Sequence, residues 1–338
     1  MFKKIAKLIQ NPELKFVGGF ITFVFILLIL IFALSIIIDP RGLYGTNIFK
    51  PLTLTIRSEK LASLERQSPP PEVIIYGSSR VFKLNPAEVE KYTGLKAFNA
   101  SVDYGRPEEQ YAMTRYVTDK LQLRPKLLLI GYHLGEFNND EIEQQTINST
   151  ELRPYLSITN SYYLKNLVRT FKDTVNLNYL VDIGRSLIFS QTGYPRSKTK
   201  FLDNGYRDFD PNFIEPAEKR LDIGRAARLF ENMPELNPDR KQYLEKLLAL
   251  SKEQKMQVII FITPMPTLMV EQLALTTNYS QRKQEFMDYL KLLSEEYPLS
   301  YYDFSSPSLF SGYEDAFDDI THPTEKNLDL IVRKIFKK

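Results

Sequence analysis

Cysteine is absent from this 338-residue chain, and histidine occurs only twice. Without a thiol there is no disulfide, no thiolate nucleophile and no zinc–thiolate site. Two imidazoles are too few for a histidine-rich metal centre, which leaves carboxylates as the remaining metal donors. Charge of one sign is also scarce: 44 Lys and Arg oppose 41 Asp and Glu, for a net +3. That excess is too small to hold a nucleic acid, and no dense basic run occurs, so no nucleic-acid partner is expected. Apolar residues at 43% and charged residues at 25% are ordinary for a globular protein. The length suits one large domain or two small ones.

One long hydrophobic run is present. From Phe16 to Ile38 there is no charge, and about 23 apolar residues suffice to cross a bilayer as a helix. A cleaved leader would have a shorter apolar region and end in a small-x-small site. This run ends Ile36-Ile37-Ile38 and stops at Asp39-Pro40-Arg41-Gly42, so an uncleaved single-pass anchor is expected over 16–38. Lys3, Lys4, Lys7 and Lys15 precede it, against Arg41 alone just behind it. Positive flanks stay cytoplasmic. Residues 1–15 are then a cytoplasmic tail in the plasma membrane, and everything after Asp39 lies outside.

Residues 39–71 read as a linker with a short helix near Thr55 to Gln67, closed by the stiff Ser68-Pro69-Pro70-Pro71. An α/β domain is expected from there to residue 338. Val73-Ile74-Ile75-Tyr76 is an unbroken apolar run that suits a strand covered on both faces. Gly77 permits a sharp turn at its carboxyl end, and Ser78, Ser79 and Arg80 follow. Further strands are expected at Ala97 to Asn99, Lys126 to Gly131, Gln257 to Thr263 and Ser300 to Phe304. Helices are expected to open at Pro86, Pro107 (to about Leu121) and Pro323, with others over Asp239 to Glu253 and Gln281 to Tyr297. Alternating strands and helices predict a parallel sheet in a three-layer α/β/α, flavodoxin-like fold. The alternation stops over about 137–235, which is too long for a structureless loop and reads as a mostly helical insertion. Arg196, Lys198 and Lys200 mark a solvated turn within it.

Strand ends in open α/β sheets are where chemical groups collect. Ser79 stands at the first such end. His322 stands in Asp318-Asp319-Ile320-Thr321-His322-Pro323, just before the last helix. A serine hydroxyl is a poor nucleophile until a base takes its proton. Asp319, three residues before His322, is placed to orient that base, with Asp318 as the alternative carboxylate. Oxyanion donors are expected from the Ser79 amide and the Ser101 amide, the latter following strand residue Asn99. His133 falls at the end of the third strand, at the same edge.

These residues resemble the SGNH, or GDSL-type, hydrolase superfamily, whose four blocks occur in order. Gly77-Ser78-Ser79-Arg80 is similar to its nucleophile block, and Asp319-Ile320-Thr321-His322 matches its Asp-x-x-His block. Asn99-Ala100-Ser101 replaces the glycine of the second block by serine. Gly131-Tyr132-His133-Leu134 replaces the asparagine of the third by His133. The resemblance covers about 72–135 and 236–338 and is strongest to membrane-anchored bacterial envelope members. Among these are alginate and peptidoglycan O-acetylation proteins and the D-alanyl transfer protein of teichoic acid synthesis. It implies acyl-ester hydrolysis, or acyl transfer to a glycan hydroxyl, with Ser79, His322 and Asp319 catalytic. Ser101, His133, Asn99, Ser78 and Arg80 would bind substrate or oxyanion. No cofactor or metal is required by that chemistry. The partners implied are an acylated glycan or acyl donor and an envelope acylation machinery. The altered second and third blocks imply the alternative, a non-catalytic member that binds glycan or scaffolds such a complex.

Overall fold

The structure is a computed structural model that describes residues 12–46, 48–52, 56–193, 199–209, 224, 227, 230 and 233–337. Lys3, Lys4, Lys7, Arg196 and Lys198 lie outside the described residues. In chain order the first elements are α1 (Pro12–Ile38), α2 (Ile56–Glu65), β1 (Val73–Gly77), α3 (Pro86–Thr93), β2 (Ala97–Asn99), α4 (Pro107–Arg115) and β3 (Leu127–Tyr132). Then come α5 (Gln144–Asn148), α6 (Asn160–Thr174), α7 (Leu177–Thr192), β4 (Thr199–Phe201) and β5 (Arg207–Phe209). The chain closes with α8 (Pro238–Glu253), β6 (Gln257–Ile262), α9 (Thr267–Thr276), α10 (Tyr279–Glu296), β7 (Leu299–Asp303) and α11 (Glu325–Phe336). They form two units, one of residues 56–156 with 197–338 and the other of 1–55 with 157–196.

The larger unit is α/β. Its five strands run parallel in the order β2-β1-β3-β6-β7, the doubly wound order of flavodoxin-like sheets. Parallel strands need helical crossovers on both faces, so their residues are buried on both sides and the sequence reads as continuous apolar runs. All of β1 and all of β3 are buried accordingly. Val73, Ile75, Leu127, Leu129 and Phe261 pack against Leu328, Ile331 and Val332 of α11 in one core. Burying each such side chain contributes about 1.5–3 kcal/mol. Strand order reverses between β1 and β3, whose last pair is Gly77 with Gly131. The backbone is tight there: a Cβ on Gly77 would lie 2.4 Å from Val81 Cγ2 and 2.7 Å from the Gly131 carbonyl oxygen.

Two expectations about organisation are redrawn. Residues 56–71 do not behave as a connector, because α2 is packed into the α/β unit. Arg57 is buried there and paired with buried Glu109 at 2.5 Å. Lys60 donates to the Asn99 carbonyl oxygen at 2.6 Å and to that of Gly205. Buried charges persist only when partnered in this way. The stretch 137–235 is likewise not one helical insertion. Residues 137–156 and the antiparallel pair β4–β5 belong to the α/β unit, whereas α6 and α7 belong to the other.

The smaller unit joins α1 to the α6–α7 hairpin. Ile38 packs with Tyr179 and Ile183, and Arg41 pairs with Asp182 at 2.7 Å. Asp39 ends α1 by accepting from the Leu43, Tyr44 and Gly45 amides. Helix α1 is long and apolar enough to cross a membrane.

Candidate active site

The β1 strand delivers its chemistry by stopping. At Gly77 the chain leaves the sheet and winds one turn of 3-10 helix over Ser79–Val81. Ser78 and Arg80 turn inward and are buried, while Ser79 remains partly exposed. The first amides of a helical turn have no acceptor within it. The Ser79 N–H therefore has no acceptor within the turn.

His322 comes from the segment before α11, which is pinned by the bridge between Phe317 and Pro323. Its Nε2 lies 2.8 Å from Ser79 Oγ. Its Nδ1 lies 2.7 Å from Asp319 Oδ2. The other Asp319 oxygen accepts from the amides of Thr321 at 2.7 Å and His322 at 2.8 Å. Burial pushes the Asp319 carboxyl up, but the His322 hydrogen bond and charge, with those two amides, outweigh it and hold it well below the usual range. A carboxylate so fixed makes Nδ1 the protonated nitrogen and leaves Nε2 to accept from the serine. Asp318 takes no part in this relay, because its carboxylate is held by Lys83 at 2.6 Å. Ser79 and His322 are thus within hydrogen-bond reach.

Asn99 and Ser101 are brought close to each other rather than to the nucleophile. The Ser101 amide donates to Asn99 Oδ1 at 3.0 Å, and its hydroxyl donates to the same oxygen. Asn99 Nδ2 donates to the carbonyl oxygens of Val81 and Leu84, both at 2.9 Å. Both residues are fully buried. The expectation that Ser101 supplies an oxyanion amide is corrected on this point: the asparagine side chain folds back on its own backbone in an Asx turn and occupies that donor. Asn99 acts as a clasp between β2 and the segment that follows Ser79.

His133 lies two residues beyond Gly131, as Ser79 lies two beyond the paired Gly77. Its Nδ1 accepts from the Gly135 amide at 3.2 Å, which places the ring proton on Nε2. Burial first, then the charges of Arg80 and His322, depress its basicity well below an ordinary histidine. The side chain is a neutral imidazole whose Nε2–H is buried and unpartnered. Phe230 packs against the ring in an edge-to-face arrangement, 5.6 Å between centroids.

A buried acid that the motifs do not mark completes the cluster. Burial raises Glu136 to about 8, against the lowering influence of Ser78 and Arg80. Neither carboxyl oxygen has a hydrogen-bond partner, so Ser78 is near it without bonding well. Arg80 is lowered by burial to about 10 and stays cationic at neutral pH, with Glu136, Asp319 and Tyr279 opposing that shift. The turn carrying Ser79 thus has the buried Arg80 cation beside it, with the charged Asp319 carboxylate acting on the same guanidinium. The sequence signal for Glu136 is weak, a lone acid in Leu134-Gly135-Glu136-Phe137. Among the described residues no three His, Asp or Glu side chains converge as a metal site requires.

No family model matches the chain, and no curated protein matches it. Among solved structures it is similar to a Bacteroides fragilis NCTC 9343 protein named as a presumed acylhydrolase. The identity is 13% and the TM-score 0.39, over 83% of this chain and 92% of that one. So distant a likeness adds nothing to the reading of the site, which rests on this chain's own sheet order and side-chain geometry.

Proposed function

We propose that the chain is a serine esterase or O-acyltransferase of the SGNH type, anchored in the plasma membrane by α1 and acting outside the cytoplasm on acyl esters of cell-envelope polysaccharide. The observation that carries the reading is the unbroken line from Ser79 Oγ through His322 to Asp319, at 2.8 and 2.7 Å. The charge-free run of α1 and its basic leading flank support the location, and the four sequence blocks support the substrate class.

In the first half-reaction Ser79 Oγ attacks the ester carbonyl while its proton passes to His322 Nε2. Asp319 holds the imidazolium that forms. The carbonyl oxygen becomes an oxyanion, received by the Ser79 N–H and the His133 Nε2–H in the Arg80 field. When the tetrahedral intermediate collapses, the alkoxide leaves with the proton from His322, and the acyl group stays on Ser79. Water or a sugar hydroxyl then gives its proton to His322 and attacks the acyl-enzyme. A repeat of the same steps releases the acid or the new ester and restores the serine.

The direct test is turnover of p-nitrophenyl acetate by the full chain in detergent, together with labelling by a serine-reactive phosphonate. We expect both, with the adduct mass on the peptide carrying Ser79. A folded chain that does neither would favour the second reading, a non-catalytic glycan-binding or scaffolding protein. That reading draws on the capture of the Ser101 amide by Asn99.

The His133 assignment has its own outcome. His133→Ala should lower kcat by about 10²–10³, the cost of one oxyanion donor, with KM little changed. His133→Asn, which restores a side-chain N–H, should recover much of it. Equal loss in both variants with unchanged kcat and raised KM would instead make His133 a substrate-binding group.

A further inference from the structure

Helix α6 is built the wrong way round for water. The side of α6 turned inward carries Asn166, Thr170 and Thr174, all buried. The side turned outward carries Leu164, Leu167 and Val168, with Leu164 63% and Val168 51% exposed. Helix α7 buries Tyr179 and Ile183 together with Ser186, yet leaves Leu177, Val181 and Ile188 more than half exposed. A helix at a water-facing surface does the reverse of α6, because apolar side chains gain by leaving water. Helices in lipid have no such drive between them. They associate through small and hydroxylated residues and leave large apolar ones outward.

The hydroxyls support the same reading. Thr170, Thr174 and Ser35 each donate to the carbonyl four residues earlier in their own helix, all at 2.8 Å. None of these groups needs water. Ser35 also reaches the Thr174 carbonyl oxygen at 3.4 Å.

Depth decides the occupant. Phe171 of α6 packs on Phe32 of α1 with centroids 5.1 Å apart. Phe32 lies six residues before the end of the apolar run at Ile38, so the contact sits roughly 9 Å inside that end at 1.5 Å per residue. At that level the medium around a spanning α1 is acyl chain. Helix α1 exposes apolar side chains as α6 and α7 do, with Ile29 and Leu30 half exposed or more. Lys165, Arg169 and Lys172 share another side of α6 at three- and four-residue spacing. Lys165 and Lys172 are exposed there, and long stems of this kind can carry a charge to headgroups, whereas Arg169 turns back to Asn166 at 3.0 Å.

We propose that the α6–α7 hairpin lies in the acyl–headgroup boundary of the bilayer that α1 crosses, in the leaflet at the carboxyl end of α1. The proposal rests on the membrane reading of α1 but not on any catalytic activity. The partner is phospholipid, and the hairpin with α1 forms a three-helix membrane foot.

The absence of cysteine makes the test clean. Single variants Leu164→Cys, Val168→Cys, Ile188→Cys, Lys172→Cys and Phe25→Cys of the full chain are labelled with an environment-sensitive fluorophore. They are then reconstituted in phosphatidylcholine–phosphatidylglycerol vesicles with or without doxyl-labelled phosphatidylcholine. Positions 164, 168 and 188 should show blue-shifted emission that shallow doxyl groups quench. Position 172 should be quenched far less, and position 25 should be quenched best by deep doxyl groups. Quenching at 25 without quenching at 164, 168 and 188 would overturn the proposal while leaving α1 in the membrane. Blue-shifted but unquenched emission at those three would overturn it in favour of a protein cover such as a second copy. No quenching at 25 would remove the anchor reading and the proposal together.

Discussion

Ser79→Ala and His322→Ala should each reduce p-nitrophenyl acetate turnover to the uncatalysed background, a loss on the order of 10⁴–10⁶ in kcat. The two variants fail differently. Alanine at 79 removes the nucleophile. Alanine at 322 leaves a hydroxyl whose proton has nowhere to go, so phosphonate labelling should vanish although Ser79 is still present. The double variant should be no worse than either single one, because residues that act as one relay are not additive. Both side chains are partly exposed, so thermal unfolding should stay close to that of the parent chain. Turnover surviving in Ser79→Ala would sink the assignment of the nucleophile.

Asp319→Asn should cost about 10⁴ in kcat while leaving the fold intact. The amide can keep one oxygen on the Thr321 and His322 amides, which donate to Asp319 at 2.7 and 2.8 Å. Its NH2 then faces His322 Nδ1, which must accept, so the ring proton moves to Nε2 and the base is blocked. A pH series on stability gives an independent check. The Asp319 carboxyl is held below its ordinary value, so its contribution is fully present above the unfolded pKa of about 3.9 and is lost as pH falls through the folded one. The difference in unfolding free energy between the parent chain and Asp319→Asn should shrink with acid below about pH 4. A difference that instead grew with acid would contradict the assignment of the charged form.

The sheet was legible because buried parallel strands spell themselves out as apolar runs, as in Val73 to Tyr76 and Leu127 to Ile130. The His322–Asp319 pair was legible because three residues of sequence bring both groups onto one turn. The Ser101 amide was not, since its capture depends on how Asn99 folds back once β2 ends. The state of His133 was equally hidden, being set by a neighbouring amide and by burial. Helix α9 escaped notice because its apolar residues do not favour one face. The last helix begins at Glu325, not at Pro323, because Pro323 is engaged by Phe317. The stretch 157–192 was legible only as part of a mostly helical insertion, since rules written for water expect apolar residues inside, and α6 buries Asn166, Thr170 and Thr174 instead.

The contact between Ser35 and the Thr174 carbonyl spans 139 residues of chain, and that distance sets a timetable. At 5–20 residues per second, α1 emerges roughly 7–30 s before α6 is complete. If α1 is the proposed anchor, it enters its membrane with Phe32 and Ser35 facing lipid alone, and the hairpin joins it afterwards. Between those two moments much of the α/β unit's leading half has also been made, although its strands β6 and β7 have not. A chain shortened to begin after Ile38 would never pass through this sequence of events. It would release α6 and α7 with no helix to receive Phe171 and Tyr179, and poor behaviour of such a fragment would say nothing about the chemistry at Ser79.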